Sequence, residues 1–266
     1  MGKAHPRHIF EDYERCVLCI CVELPSGDKA AGTGFHVGGG WVVTAKHVLD
    51  GNKLDRVVGS YGEVTSLGVI PASEADVDLA LIKTDFELDH YMKHHSFHGD
   101  DRRNKAKTDH IPLGFHLDDW VGSEFILSRV VLFGFPRIPT SARRDLVVVQ
   151  GEVNAIVDKH KGGSPYFIIS PQPRPGFSGG PVFSEYGFLL GVLVESLTEN
   201  DRDAELGFSA VLSIEPLLHL LASNNIRPPG FEDEHWDLVA GRYESEKLGA
   251  PDQIPKRNTM PAVSDM

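Results

Sequence analysis

Three residues whose types can together perform nucleophilic acyl transfer, His47, Asp78 and Ser178, stand in distinctive surroundings along the chain. Hydrolysis of an amide by a serine requires a hydroxyl nucleophile, an imidazole that takes its proton, and a carboxylate that orients the imidazole and stabilises its charged form. Such sets recur on unrelated folds, so the residue types alone identify no enzyme class. The prediction therefore depends on the sequence around each residue.

Ser178 lies within the glycine-rich segment 175–181, Pro-Gly-Phe-Ser-Gly-Gly-Pro. Glycine permits backbone angles closed to other residues and leaves room for a substrate carbonyl. The segment also satisfies Gly-x-Ser-x-Gly, the nucleophile elbow of α/β-hydrolases, in which Asp203 and His219 would be the acid and the base. That elbow must lead into a helix, whereas Gly-Gly-Pro followed by Val182 and Phe183 favours a turn into a strand. We therefore disfavour an esterase.

The flanks of His47 and Asp78 complete a known pattern. Residues 32–35 read Gly-Thr-Gly-Phe, residues 44–47 read Thr-Ala-Lys-His, and Asp78 directly precedes Leu-Ala-Leu-Ile-Lys. With the serine segment, these motifs resemble trypsin-like (chymotrypsin-fold) serine peptidases, in particular the bacterial high-temperature-requirement type, in the family's order of His, Asp and Ser. Asp76 is the rival acid. We prefer Asp78, because the family's Asp directly precedes the apolar run, whereas Asp76 lies one pleat earlier on the same face.

The resemblance implies a role for each site residue of a serine endopeptidase that works through an acyl-enzyme intermediate. His47 would deprotonate Ser178, Asp78 would orient His47, and the amides of Gly176 and Ser178 would form the oxyanion hole. It also implies that the segment 191–196 pairs with the substrate backbone. The residues expected to line the primary pocket are Gln172, Val194, Glu195, Ser196 and Gly207.

One position departs from the family pattern. Phe177 precedes the serine where digestive relatives have Asp and the high-temperature-requirement type has Asn. This leaves a second hypothesis, a catalytically inactive binding module that keeps the trypsin fold. Retention of all three triad residues argues for the enzyme.

The sequence predicts no metal or other cofactor. His90, His94 and His98 would share one face of a helix and could hold a metal there, but their Gly-, Asp- and Lys-containing surroundings favour a flexible insertion. The three cysteines Cys16, Cys19 and Cys21 lie in one strand-like segment, where alternation places Cys19 and Cys21 on the same face. This odd count without a disulfide framework fits a reducing compartment.

The elements that must position these residues are short strands joined by turns. Alternating apolar segments and 27 glycines and 17 prolines indicate an all-β fold. With the resemblance, this predicts two antiparallel six-stranded β-barrels, about 16–118 and about 121–222, with a short closing helix from Ile214 to Ala222. Residues 86–119 are expected to contain an insertion and linker, and 223–266 a polar tail. His47 and Asp78 would lie on the first barrel and Ser178 on the second.

Charge and hydropathy limit the classes of binding partner that the sequence predicts. The net charge of −12 disfavours nucleic acid, because an acidic surface repels phosphate backbones. No window approaches the ~18 apolar residues of a membrane span, and no secretory signal is visible, so we expect no membrane association and a cytoplasmic location. The expected substrate is a protein or peptide. By resemblance, partner proteins of a bacterial stress or defence system are also expected.

Overall fold

The computed structural model describes residues 2–60, 62–86, 109–114, 125–157, 165–170, 174–198, 205–231 and 236–241. The first half of the chain forms an antiparallel sheet of seven strands in the order β5-β4-β1-β2-β3-β7-β6. Its strands are β1 (Val17–Glu23), β2 (Lys29–His36), β3 (Trp41–Thr44), β4 (Lys53–Gly59), β5 (Gly62–Val64), β6 (Ser66–Pro71) and β7 (Ala80–Thr84).

This sheet is the first six-stranded barrel, because β5 and β6 are two halves of one bent strand. Only Thr65 separates them, and its amide and carbonyl bond to Asp85 at 2.7 and 3.1 Å instead of continuing either ladder. One half pairs with β4 and the other with β7, which are the two ends of the remaining sheet. Counted as a single strand, the pair closes the ring.

The second half is a closed barrel of six strands in the order β10-β13-β12-β11-β8-β9. They are β8 (Arg129–Gly134), β9 (Val147–Val157), β10 (Tyr166–Ser170), β11 (Pro181–Ser184), β12 (Leu189–Thr198) and β13 (Glu205–Ser213). The interior is apolar, with Phe167, Val182 and Val211 among its fully buried side chains. The predicted all-β fold of two barrels is confirmed.

Strand β8 is buried on both faces, which explains its almost continuous apolar sequence. Val130 and Leu132 face the interior of the second barrel, whereas Val131 and Phe133 belong to a larger cluster that extends into the first barrel. The outer face of β8 is covered by the beginning of the chain. The larger cluster therefore joins residues of both barrels with the segment before them, and a second cluster fills the interior of the second barrel.

In the ranges given above, four helices accompany the strands: α1 (Pro6–Tyr13), α2 (Lys46–Leu49), α3 (Glu215–Ser223) and α4 (236–241), with a 3₁₀ turn at Glu14–Cys16. Helix α3 agrees with the predicted closing helix, and Pro216 lies in its first turn, where a missing amide proton costs nothing. Helix α1 was not predicted. None of the helices in the ranges given above is long and apolar enough to cross a membrane.

Candidate active site

The two carboxylate oxygens of Asp78 both bind His47. Oδ1 accepts from the His47 amide at 2.8 Å, and Oδ2 lies 2.6 Å from the ring atom Nδ1. His47 is presented by α2, which directly follows β3, and Asp78 lies two residues before β7, the strand that pairs with β3. Since the neutral ring donates its Nδ1 proton to the carboxylate, its lone pair lies on Nε2. The structure thus places the carboxylate of Asp78, the acid preferred from the sequence, in contact with both the amide and the ring of His47.

The segment around Ser178 is fixed between the two barrels. On one side the Gly179 amide donates to the Leu193 carbonyl of β12 at 2.7 Å, and on the other the Thr33 amide of β2 donates to the Ser178 carbonyl at 2.8 Å. A Cβ on Gly32 would lie 3.0 Å from that same carbonyl and 2.6 Å from Val48, the neighbour of His47. The structure therefore brings the serine segment against helix α2.

Gly179 must be glycine for this approach to occur. Its φ of +85° is a left-handed backbone angle, and a Cβ there would collide with the Thr33 carbonyl and the Thr44 hydroxyl, and would lie 2.7 Å from the Ala45 amide. Thr44 and Ala45 precede His47 by three and two residues, and Thr33 lies on β2, the strand that pairs with β3. Any side chain at this position would push the serine segment away from β2 and from the residues that lead into helix α2.

The turn before the serine has the geometry of a type II turn. The Phe177 amide bonds to the Arg174 carbonyl at 3.3 Å, Pro175 occupies the second position, and Gly176 occupies the third with φ +110°. Pro and Gly are the residues that this turn type favours at these positions. Type I and type II turns differ by a flip of the central peptide. The Pro-Gly pair therefore sets the orientation of the peptide that carries the Gly176 amide.

The next peptide is also fixed. The Gly176 carbonyl accepts from the Thr33 hydroxyl at 2.6 Å and from the Phe135 amide at 3.2 Å. In the part of the chain that the structure describes, the amides of Gly176 and Ser178 donate to no protein acceptor. Two adjacent donors held by anchored peptides are suited to bind an oxyanion.

Phe177 anchors this turn in the second barrel. Its side chain is 2% exposed and packs in the barrel core with Leu132, Phe167 and Val211. The ring covers Gly134 so closely that a Cβ on that glycine would lie 2.5 Å from the ring carbon Cγ. Phe177 thus supports the loop through apolar packing, at the position where relatives have a polar side chain.

The residues predicted to line the primary pocket are placed in part. Val194 is buried, and Glu195 and Ser196 pair with Ala210 and Ser209 of β13 after a register shift in β12. Gly207 lies in β13 with φ +78°. Gln172 lies outside the described residues. So do the three histidines weighed as metal ligands, and within the described ranges no group of three or more His, Cys, Asp or Glu residues could hold a metal.

Sequence reasoning gave no role to Thr33 and Thr44, which connect the motifs. The Thr44 hydroxyl donates to the Thr33 carbonyl at 2.7 Å, and the Thr33 hydroxyl accepts from the Phe135 amide at 3.1 Å while donating to Gly176. Both side chains are fully buried. Their only sequence signal is membership of the Gly-Thr-Gly-Phe and Thr-Ala-Lys-His motifs.

Comparison with solved structures shows the same fold elsewhere. The HtrA-type protease AlgW, in a structure with a tripeptide, matches with a TM-score of 0.55 and 18% identity, covering 83% of this chain and 63% of AlgW. The chain thus spans less than two thirds of AlgW. The Rv3671c protease from M. tuberculosis, in its active form, matches with a TM-score of 0.56 and 18% identity, covering 86% of this chain and 91% of that one.

Sequence comparison gives the family directly. No curated protein matches the chain at a significant level. The model of the trypsin-like peptidase domain, however, matches residues 32–192, which is more than half of the chain and includes all three motifs. The resemblance read from the motifs is confirmed, and the chain belongs to the trypsin-like peptidase family.

Proposed function

We propose that the protein is a serine endopeptidase that cleaves protein or peptide substrates with His47, Asp78 and Ser178 as its catalytic triad. The observation that carries the proposal is the two-point contact of Asp78 with His47, at 2.8 and 2.6 Å, beside an anchored serine turn. A carboxylate bound to both the amide and the ring of one histidine fixes the tautomer and the direction of its lone pair.

In the proposed reaction, the Ser178 hydroxyl attacks the scissile carbonyl while Nε2 of His47 takes its proton. The amides of Gly176 and Ser178 stabilise the oxyanion of the tetrahedral intermediate. The imidazolium, stabilised by Asp78, returns the proton to the leaving amine, and an acyl-enzyme forms. Water, deprotonated by His47, then attacks the acyl-enzyme in the same way and releases the carboxylic acid product and free Ser178. No metal or cofactor takes part in these steps.

A fluorophosphonate probe tests this proposal, because it labels only a serine that is activated beside a formed oxyanion hole. We expect the wild type to be labelled, and Ser178→Ala and His47→Ala to lose both labelling and peptide hydrolysis. Asp78→Asn should lower turnover on the order of 10⁴-fold, as for the corresponding change in the best-studied triad. The matched control is Asp76→Asn, which should retain activity.

Two outcomes would contradict the proposal. Hydrolysis undiminished in Ser178→Ala would assign the activity to another residue or to a contaminant. A folded wild type that neither reacts with the probe nor cleaves a peptide library would favour the inactive binding module.

A further inference from the structure

A cleft of about 920 Å³ lies beside the serine turn. One wall consists of residues from β1, β2 and β4, and the other of residues 135–146, which connect β8 to β9. Five cationic side chains line it: Lys29, Arg56, Arg137, Arg143 and Arg144. Among the described residues that line it, two are carboxylates, Asp55 and Asp145. We call this feature the basic cleft.

Both carboxylates of the basic cleft already bind neighbouring side chains. Asp55 bonds to Lys29 at 3.0 Å and lies 3.5 Å from Arg56, and the Lys29 hydrogen bond is the main reason that the pKa of Asp55 is lowered. Asp145 bonds to Ser141 at 2.8 Å and to Arg143 at 2.9 Å, which lower its pKa as well. Both are therefore ionised at neutral pH.

The cleft retains an excess of positive charge. Five cations against two carboxylates leave a surplus of three, in a chain whose net charge is −12. Arg137 and Arg144 have no carboxylate partner in the ranges that the structure describes. Cys21 also lines the cleft, and its pKa is lowered to about 7, chiefly by its hydrogen bond with Cys19 and further by the charges of Arg56 and Arg144.

The basic cleft begins at the turn before Ser178, which residues 174–177 form. Phe135 lines it, and the Phe135 amide donates to the Gly176 carbonyl at 3.2 Å. The Phe135 carbonyl lies 2.6 Å from where a Cβ of Gly176 would stand, and Arg144 Nη1 donates to that carbonyl at 3.2 Å. A cationic group is thus separated from the turn by one peptide unit.

The direction of the substrate follows from the strands beside Ser178. The serine segment lies between Leu193 of β12 and Thr33 of β2. By the family resemblance, the segment 191–196 of β12 pairs with the substrate backbone, and we place the residues before the scissile bond there. The residues after it must then leave on the opposite side, past β2, where the basic cleft opens. We propose that the basic cleft binds Asp or Glu side chains among the first residues that follow the scissile bond.

This inference rests on the proposed function and gives it a substrate class, peptides that are acidic on the leaving-group side. The cations are largely exposed, so each contact is screened by salt. We expect a Glu in this region to raise kcat/KM about fivefold to tenfold over Gln at low ionic strength. The preference should largely disappear at 1 M salt, where the Debye length falls to ~3 Å.

Cleavage-site profiling with a peptide library, followed by a Glu and Gln pair of the best substrate, tests the preference. Arg56→Gln combined with Arg137→Gln should remove it without lowering kcat/KM for the Gln peptide. Arg144 is left unchanged because it donates a hydrogen bond to the Phe135 carbonyl, next to the turn before Ser178. Arg7→Gln, combined with Arg129→Gln, removes the same charge away from the cleft and should leave the preference intact. Equal kcat/KM for the Glu and Gln peptides in the wild type would overturn the inference.

A binding measurement separates this inference from the proposed function. Fluorescence anisotropy of Ser178→Ala with a fluorescein-labelled Glu-rich peptide, and with its Gln counterpart, requires no turnover. Tighter binding of the Glu-rich peptide that is lost in the Arg56 and Arg137 variant supports the basic cleft, even if the wild type cleaves nothing. Equal binding of the two peptides overturns it, even if the enzyme is active.

Discussion

At the residue scale, Thr33 of the first barrel is hydrogen-bonded to the segment around Ser178 and to the second barrel. Its amide binds the Ser178 carbonyl, its hydroxyl binds the Gly176 carbonyl and accepts from the Phe135 amide, and its own carbonyl accepts from Thr44. Thr33, Thr44, Phe135 and Gly176 are buried, so the bonds among them satisfy polar atoms that would otherwise be buried unpaired. The turn is therefore anchored by hydrogen bonds to the first barrel in addition to its packing in the second.

Phe177 gives a prediction at the same scale. Phe177→Asp places a carboxylate in an apolar core, where an unpaired charge costs several kcal/mol. We expect this variant to lose fluorophosphonate labelling and to unfold at lower urea concentration. Phe177→Leu keeps an apolar side chain and should retain both labelling and the fold. The idea that the ring supports the turn fails if Phe177→Asp is labelled as fast as the wild type.

The site could be predicted from the sequence only where a motif is local. His47, Asp78 and Ser178 each lie in a short distinctive segment, so the roles proposed for them could be inferred from the local sequence. The role of Thr33 depends on atoms 102 and 143 residues away, and no local pattern records such contacts. Likewise, the sequence alone could not show that Arg137 and Arg144 line the same cleft as the cations of the first barrel.

At the element scale, strands were easier to predict than the ends and bends that join them. The closing helix and most strands have clear apolar periods and turn residues. The bend at Thr65 has none, because it results from the bonds between Thr65 and Asp85. Helix α1 was not predicted because four of its eight residues are charged or histidine, and its buried residue, Ile9, packs against residues far along the chain.

The end of strand β2 gives a prediction about acid stability. His36 is 3% exposed, its Nε2 accepts from the Gly40 amide at 2.9 Å, and its Nδ1 donates to the Asp109 carbonyl at 2.7 Å. Burial lowers its pKa to about 4 from 6.5, so the folded protein binds this proton more weakly than the unfolded chain. His36 therefore leaves the free energy of unfolding unchanged above pH 6.5 and lowers it as the pH falls towards 4, by about 3 kcal/mol.

Urea unfolding between pH 7 and pH 4 measures this effect. His36→Gln can still donate and accept but does not titrate, so its stability should fall less steeply with acid than that of the wild type. His8→Gln, on an exposed position of α1, should keep the wild-type dependence. Parallel profiles for the wild type and His36→Gln would show that the protonation of this ring contributes nothing.

At the scale of the whole molecule, segments outside the barrels bind the structure together. The Ala4 amide donates to the Glu185 carbonyl at 2.7 Å, Lys3 pairs with the Glu185 carboxylate at 2.9 Å, and Tyr13 stacks on Phe183 at 4.7 Å. At the other end, Pro229 lies against Gly38 of the first barrel, and Phe231 is buried beside Trp236. The barrels therefore do not account for the stability of the fold by themselves.

The last prediction concerns helix α1 and activation. Digestive relatives are switched on when cleavage frees an N-terminus that enters the protein and pairs with the acid before the catalytic serine, but Phe177 offers no such acid. Helix α1 instead buries Ile9, at 2% exposure, in the core shared with Phe133 and Phe183. Removal of residues 2–15 should therefore destabilise the protein and reduce probe labelling, whereas an N-terminal fusion should remain active.

A point variant tests the same idea without shortening the chain. Ile9→Ala should lower the free energy of unfolding by about 2–4 kcal/mol, because it removes buried methyl groups and leaves a cavity. In a protein of this size, such a change lowers Tm by roughly 5–10 °C. Ile9→Val should cost about 1 kcal/mol, and His8→Ala on the exposed face of the helix should have little effect. Trimmed protein that unfolds like the full chain and reacts faster with the probe would instead establish α1 as an inhibitory segment.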